Sequence, residues 1–196
     1  MTDAFDPLSD LFVAQFARPP QMAAVNLRVL TPFQRALLVI DGTVTKFIEA
    51  YTLEPVETLH LGQERRPLSS DNPWLEAEQG TEVLARRVSL EGKYTRTVYA
   101  YALSLVVPDR LPDPARESLK DDAGSLGRIL LSARLETRRE VLWYGREHLS
   151  DVPDAIKGLE GAPAISRTYR IISRGRPLML INEKFPTGQD RRPSRD

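Results

Sequence analysis

The chain has 196 residues, 27 Lys and Arg balanced by 27 Asp and Glu, two histidines and no cysteine. That length suits one domain able to bury a core without disulfides or a structural metal. The absence of cysteine excludes thiolate chemistry and Cys-type zinc sites, and His60 and His148 alone are too few for an all-histidine metal cluster. Charge balance removes the basic excess that supplies non-specific nucleic-acid affinity, and apolar runs such as 36–40 and 178–181 fall far short of the roughly 20 residues that span a bilayer.

The chain opens on Met1-Thr2-Asp3-Ala4-Phe5-Asp6-Pro7, which is acidic and lacks the basic and apolar regions of a secretory signal, so a cytoplasmic protein is expected. Residues 1–30, with Leu11, Phe12, Val13 and Phe16 interrupted by Pro19-Pro20, read as a short helix and an arm. At Thr31-Pro32 a hydroxyl cap and a proline preset for the first helical position predict a helix through residue 40. Asp41-Gly42 interrupts it, and Thr43 is placed to cap a second short helix through Val44, Phe47 and Ile48. Strands are predicted from Val56 through Leu61 and over 83–90, 95–107, 134–144, 165–173 and 177–185. Glu91-Gly92-Lys93 and Arg174-Gly175-Arg176 mark hairpins. Short helices fit 112–120 and 125–131, with Ser125 as a cap, and 187–196 reads as a solvated tail. The order implies an α+β domain over 31–186: a single antiparallel sheet with its helices gathered on one face.

No phosphate loop, dinucleotide fingerprint, nucleophile elbow or H-E-x-x-H motif is present. The candidates are polar residues inside apolar strands. Glu183 closes the run 177–182, where an inward carboxylate needs a partner or acts as a proton donor, while an outward one simply meets solvent. Arg86 and Arg87 occupy successive strand positions, so one of the two faces inward and requires an anion, from the protein or from a ligand. Ser125-Leu126-Gly127-Arg128 and Asp41-Gly42-Thr43-Val44-Thr45-Lys46 offer helix-start amides for a negative group, or merely cap themselves. His60 reads as a strand-surface histidine, and Arg138-Arg139 as a solvated face.

These segments, taken in order, resemble the chorismate pyruvate-lyase family, and its divergent cyanobacterial and actinobacterial branch more than the enterobacterial one. The pieces are Thr45-Lys46 within 37–47, Leu84-Ala85-Arg86-Arg87-Val88-Ser89-Leu90-Glu91-Gly92, Val107-Pro108-Asp109-Arg110-Leu111-Pro112, Ser125-Leu126-Gly127-Arg128, Leu135-Glu136-Thr137 and Tyr169-Arg170-Ile171-Ile172-Ser173. They close on the pattern G-x-P-L-x-L-x-x-E-x-F over 175–185. The resemblance implies a chorismate lyase-like fold with an enclosed pocket. It also implies elimination of pyruvate from chorismate to give 4-hydroxybenzoate, with no metal or other cofactor. By position it assigns the ring carboxylate to Arg86 and the amides of Val44 and Leu126, and the substrate hydroxyl to Glu183, with Arg86 and Glu183 as the catalytic pair. The partner so implied is a small aromatic acid, not nucleic acid or a membrane.

Ala102-Leu103-Ser104 is apolar where some members carry an acid, and Leu103 therefore points to an alternative, a related lyase acting on another chorismate-derived or aromatic acid. A non-catalytic carboxylate sensor would share the fold, but residues 1–30 leave no room for a DNA-reading helix-turn-helix. Whether Glu183 transfers a proton, or the C4 hydrogen passes within the substrate, stays open at this level.

Overall fold

The computed structural model describes residues 6–8, 10–120 and 126–188. Among the described residues four α-helices, α1 (Pro32–Val39), α2 (Val44–Thr52), α3 (Asp113–Lys120) and α4 (Leu126–Ser132), accompany six strands. These are β1 (Val56–Pro67), β2 (Glu82–Gly92), β3 (Val98–Val106), β4 (Arg138–His148), β5 (Pro163–Ser173) and β6 (Arg176–Pro186). They form one sheet in the order β1-β2-β3-β6-β5-β4 with every pairing antiparallel, as the hairpins imply.

Local chemistry sets the boundaries. Thr31 and Gln34 exchange side-chain and backbone hydrogen bonds at 3.2 and 3.0 Å, a capping box ahead of Pro32. The β5–β6 turn places Arg174 and Gly175 at φ 50 and 75, both left-handed, as a two-residue hairpin turn requires. Strand β3 starts later than residue 95 because Tyr94 and Thr95 are spent on a loop wrapped around Glu54. Strand β4 starts later than residue 134 because Arg134, at φ 49, closes α4 while the Leu135 amide reaches back to the Leu130 carbonyl at 3.1 Å. The expected cap Ser125, and the tail from 189, lie outside the described residues.

Strand alternation sends Leu84, Leu90, Ala100, Val106, Ile165, Ile171, Met179, Ile181 and Phe185 to one face, where they meet apolar residues of all four helices in the largest core cluster. Two loops cover parts of the other face, one through Leu68, Leu75 and Ala77, the other through Leu149, Val152 and Ile156. The N-terminal arm covers the β4 edge: the amides of Val13 and Ala14 donate to the carbonyls of Val141 and Leu142 at 3.0 and 2.9 Å. Ala23 pairs with Arg146 beside Gly145, where a Cβ would lie 2.4 Å from Met22 Cγ. Covering that edge removes a template for intermolecular strand pairing. Among the described residues no helix is long and apolar enough to cross a membrane.

Candidate active site

A cavity of about 460 Å³ lies between the helix-covered face and the starts of α2 and α4, with wall residues from all six strands. Its size falls in the range of small-ligand pockets. Val44, Arg86, Leu126 and Glu183, the four residues singled out from sequence, all line it. Register explains the meeting. Arg86 faces Ser104 across β2 and β3, and Ala102 faces Glu183 across β3 and β6, so the two charged residues stand two strands apart and one pair out of step. With strands about 4.8 Å apart and a rise of about 3.4 Å per residue, their Cα atoms are separated by about 12 Å. A flat ring with substituents at both ends fits between them.

Arg86 is the inward member of its pair: it is 2% exposed, whereas Arg87 points to solvent. Its Nη2 lies 3.3 Å from Nδ1 of His60, which corrects the reading of His60 as a surface residue; β1 carries it half-buried toward Arg86. The Val44 and Leu126 backbones open α2 and α4 at the cavity wall. The Thr43 hydroxyl makes no side-chain cap on α2, contrary to expectation, and Thr43 lines the cavity instead.

Glu183 is buried on a central strand, and its outward alternative is excluded. Its surroundings are not simply apolar. Nε of Arg167 donates to Oε2 at 2.9 Å, and the Tyr169 hydroxyl donates to Oε1 at 3.0 Å. Arg167 is fully buried, and its Nη1 also donates to the carbonyls of Leu38 and Ile40 at 3.2 and 2.9 Å. One guanidinium thus joins the carboxylate to the end of α1, the segment that leads into the Asp41–Val44 wall. Burial, and next the Glu183 charge, push the Tyr169 phenol far above its ordinary range, so it remains a neutral donor. Each carboxylate oxygen keeps lone-pair capacity beyond these bonds, so Glu183 can accept from a ligand hydroxyl.

Arg167, Tyr169 and Arg139 were not among the sequence candidates. Arg139 corrects the expectation of a solvated 138–139 face: both arginines border the cavity, Arg138 with a largely exposed side chain and Arg139 with its guanidinium 4.6 Å above the Tyr169 ring. Its Nη1 donates to Asp41 Oδ1 and the Gly42 carbonyl at 3.2 and 3.0 Å. Two arginines in otherwise buried strand runs were the available signal. Leu103 is corrected too. It pairs with Arg87 and Asn182 on the opposite face, while Ala102 and Ser104 border the cavity, so Leu103 carries no information about the ligand.

Comparison with known proteins bears on the family and the fold. A family model described as chorismate pyruvate-lyase Rv2949c-like matches residues 38–191. The chorismate pyruvate-lyase of Mycobacterium tuberculosis is 28% identical over 169 residues, covering 82% of each chain, and that of Mycobacterium leprae is 28% identical over 166 residues, covering 82% of this chain and 77% of its own. Among solved structures, PhnF from Mycobacterium smegmatis superposes with a TM-score of 0.59 at 12% identity, covering 76% of this chain and 65% of that one. Its effector domain alone gives 0.58 at 12% identity, with 76% and 90% covered. The C-terminal domain of the histidine utilization repressor from Pseudomonas syringae gives 0.51 at 13% identity, with 72% and 98% covered. Those structural likenesses are of fold alone. The family match extends over more than half of the chain, and the chain belongs to the Rv2949c-like chorismate pyruvate-lyase family.

Proposed function

We propose that the chain splits chorismate into 4-hydroxybenzoate and pyruvate within this cavity, without metal or organic cofactor. The observation that carries the reading is the pair of opposed polar groups on one cavity wall: Arg86 toward one end, and Glu183, braced by Arg167 and Tyr169, toward the other. The ring carboxylate at C1 pairs with Arg86 and with the helix-start amides of Val44 and Leu126, a placement that uses charge and fixed dipoles without forming a bond. The C4 hydroxyl, at the far end of the ring, donates to Glu183.

During the reaction the C3–oxygen ether bond breaks, C4 loses its hydrogen, and the departing enolpyruvyl group gains one at its methylene carbon to become pyruvate. Atoms balance without water or a redox partner. The C4 hydroxyl turns from an alcohol into a phenol as the ring becomes aromatic, so its hydrogen bond to a carboxylate strengthens along the path. Glu183 therefore favours the transition state over the ground state. Its ion pair with Arg167, in place of a lone acid in an apolar strand, supports acceptance over donation as its role. The partner is a small aromatic acid; the balanced charge of the chain favours neither nucleic acid nor a membrane surface.

Incubation of purified protein with chorismate, followed by chromatography, tests the reading. Equal amounts of 4-hydroxybenzoate and pyruvate are expected, also after exhaustive chelation. Another hydroxybenzoate isomer, or unchanged chorismate, would contradict it.

A further inference from the structure

Glu183 and Arg86 account for one carboxylate and one hydroxyl, but chorismate has a second carboxylate, on the enolpyruvyl arm. Resting on the lyase reading above, we propose that Arg139 is the binding site for that second carboxylate. C1 and C4 lie at opposite ends of the ring, and C3, which bears the arm, is next to C4. With C4 at Glu183, the arm leaves the ring beside Tyr169, whose hydroxyl touches Glu183 and whose ring lies 4.6 Å beneath the Arg139 guanidinium. Arg139 stands at the β4 side of the cavity, away from Arg86 on β2, and the ring orientation that turns C3 toward β4 brings the arm to it.

Three properties suit Arg139 to a carboxylate. Its side chain is 18% exposed, so its charge is little screened. Its protein counterion is Asp41, which is 83% exposed and compensates it weakly. Its two bonds to the α1–α2 loop both run from Nη1, and Nη2 makes no hydrogen bond among the described residues, while Nε is buried behind it. A guanidinium edge that still has a donor to place matches the two oxygens of a carboxylate. The cavity then distinguishes substrate from product, because 4-hydroxybenzoate has lost the group that Arg139 holds.

The competing role for Arg139 is to latch the Asp41–Gly42 loop. A latch supports the Val44 amide and hence the ring-carboxylate site, so its loss would weaken every ligand alike. Two stable aromatic probes separate the roles: 3-(carboxymethoxy)-4-hydroxybenzoate, which carries both carboxylates, and 4-hydroxy-3-methoxybenzoate, which lacks the second. Calorimetry on the parent should show roughly tenfold or greater preference for the dicarboxylate, the ordinary worth of a charged hydrogen bond. In Arg139→Gln the preference should fall to about one, with the methoxy compound bound within about twofold of the parent, which also reports an intact pocket. Arg139→Lys should retain part of the preference. The inference is overturned by a parent without preference, by a preference that survives in Arg139→Gln, or by equal weakening of both probes. These ratios do not depend on turnover, so failure of the lyase reading shows separately, as chorismate left unconverted by the parent.

Discussion

Two buried glutamates in this molecule look alike by exposure and differ in what surrounds them. Glu54 and Glu183 are both 8% exposed, and each accepts from a tyrosine hydroxyl. Glu54 is closed on all sides: Tyr99 at 2.7 Å, the Thr95 hydroxyl at 2.8 Å, and the amides of Tyr94 and Thr95 at 3.2 Å fill both oxygens. It anchors the β2–β3 loop. Glu183 has two donors, one a buried cation, and borders the cavity. Burial of an acid therefore marks neither structure nor function; acceptor capacity left open toward an empty volume, against a charge that cannot leave, is what separates the two.

The largest effect expected from that difference is on stability. Arg167→Met strands the Glu183 carboxylate without its cation, and breaking a buried pair in this way costs about 3–5 kcal/mol, read by urea denaturation. An unfolding free energy equal to the parent's would show that Glu183 does not depend on Arg167, and the contrast with Glu54 would fail. Next in size, Arg86→Ala should weaken 4-hydroxybenzoate binding by about 2–5 kcal/mol in calorimetry, as for truncation of a desolvated charged partner. A change no larger than that of Arg87→Ala, at an exposed position, would return Arg86 to a structural role.

A smaller effect, confined to the fold, is expected at the Glu54 site. A Cβ at Gly92 would lie 2.4 Å from Glu54 Oε1 and 2.6 Å from Thr95 Oγ1, so Gly92→Ala must displace the anchored carboxylate. It should cost about 1–3 kcal/mol by overpacking while leaving turnover within about twofold; a large loss of turnover would tie the hairpin loop to the cavity. The smallest effect is a pH dependence. Burial opposes the charge on Glu54, but hydrogen bonds from Tyr99, Thr95 and Tyr94 outweigh it and hold the carboxyl below its ordinary value of 4.5. A lowered folded-state value gives stabilisation that is full above the unfolded value and lost as pH falls through the folded one. The melting temperature should therefore decline below about pH 4.5, with a shallower decline in Glu54→Gln; parallel curves for parent and variant would remove Glu54 from the acid response.

Much of the fold was legible because its signals are local. The Thr31-Pro32 helix start, the Arg174-Gly175 turn and the β-rich runs each act within a few residues, and all six strands and four helices follow from such signals with shifted ends. Alternation places one of Arg86 and Arg87 inward without saying which, and only the family resemblance singled out Arg86. The Glu183–Arg167 pair was hidden by a single residue. Counting back from the β5–β6 turn, Ser173 faces Arg176 and Ile172 faces Pro177, a register that would set Arg167 opposite Asn182. An irregularity at Leu178 shifts the register by one, so that Arg167 faces Glu183 instead. Such a bulge turns the later side chains to the other face, and nothing in the composition of 176–180 announces it. Arg139 was hidden for a different reason: its burial depends on the Asp41–Gly42 loop, which is far away in sequence.

Single-turnover consumption of chorismate by the parent, Glu183→Gln and Glu54→Gln, at a temperature where thermal melts show all three folded, tests the central claim most directly. The account predicts a loss of roughly 10²–10⁴-fold at Glu183, the usual contribution of a placed acid–base or hydrogen-bonding group, and a parent-like rate at Glu54. Equal rates for parent and Glu183→Gln, or equal losses in the two variants, would contradict it.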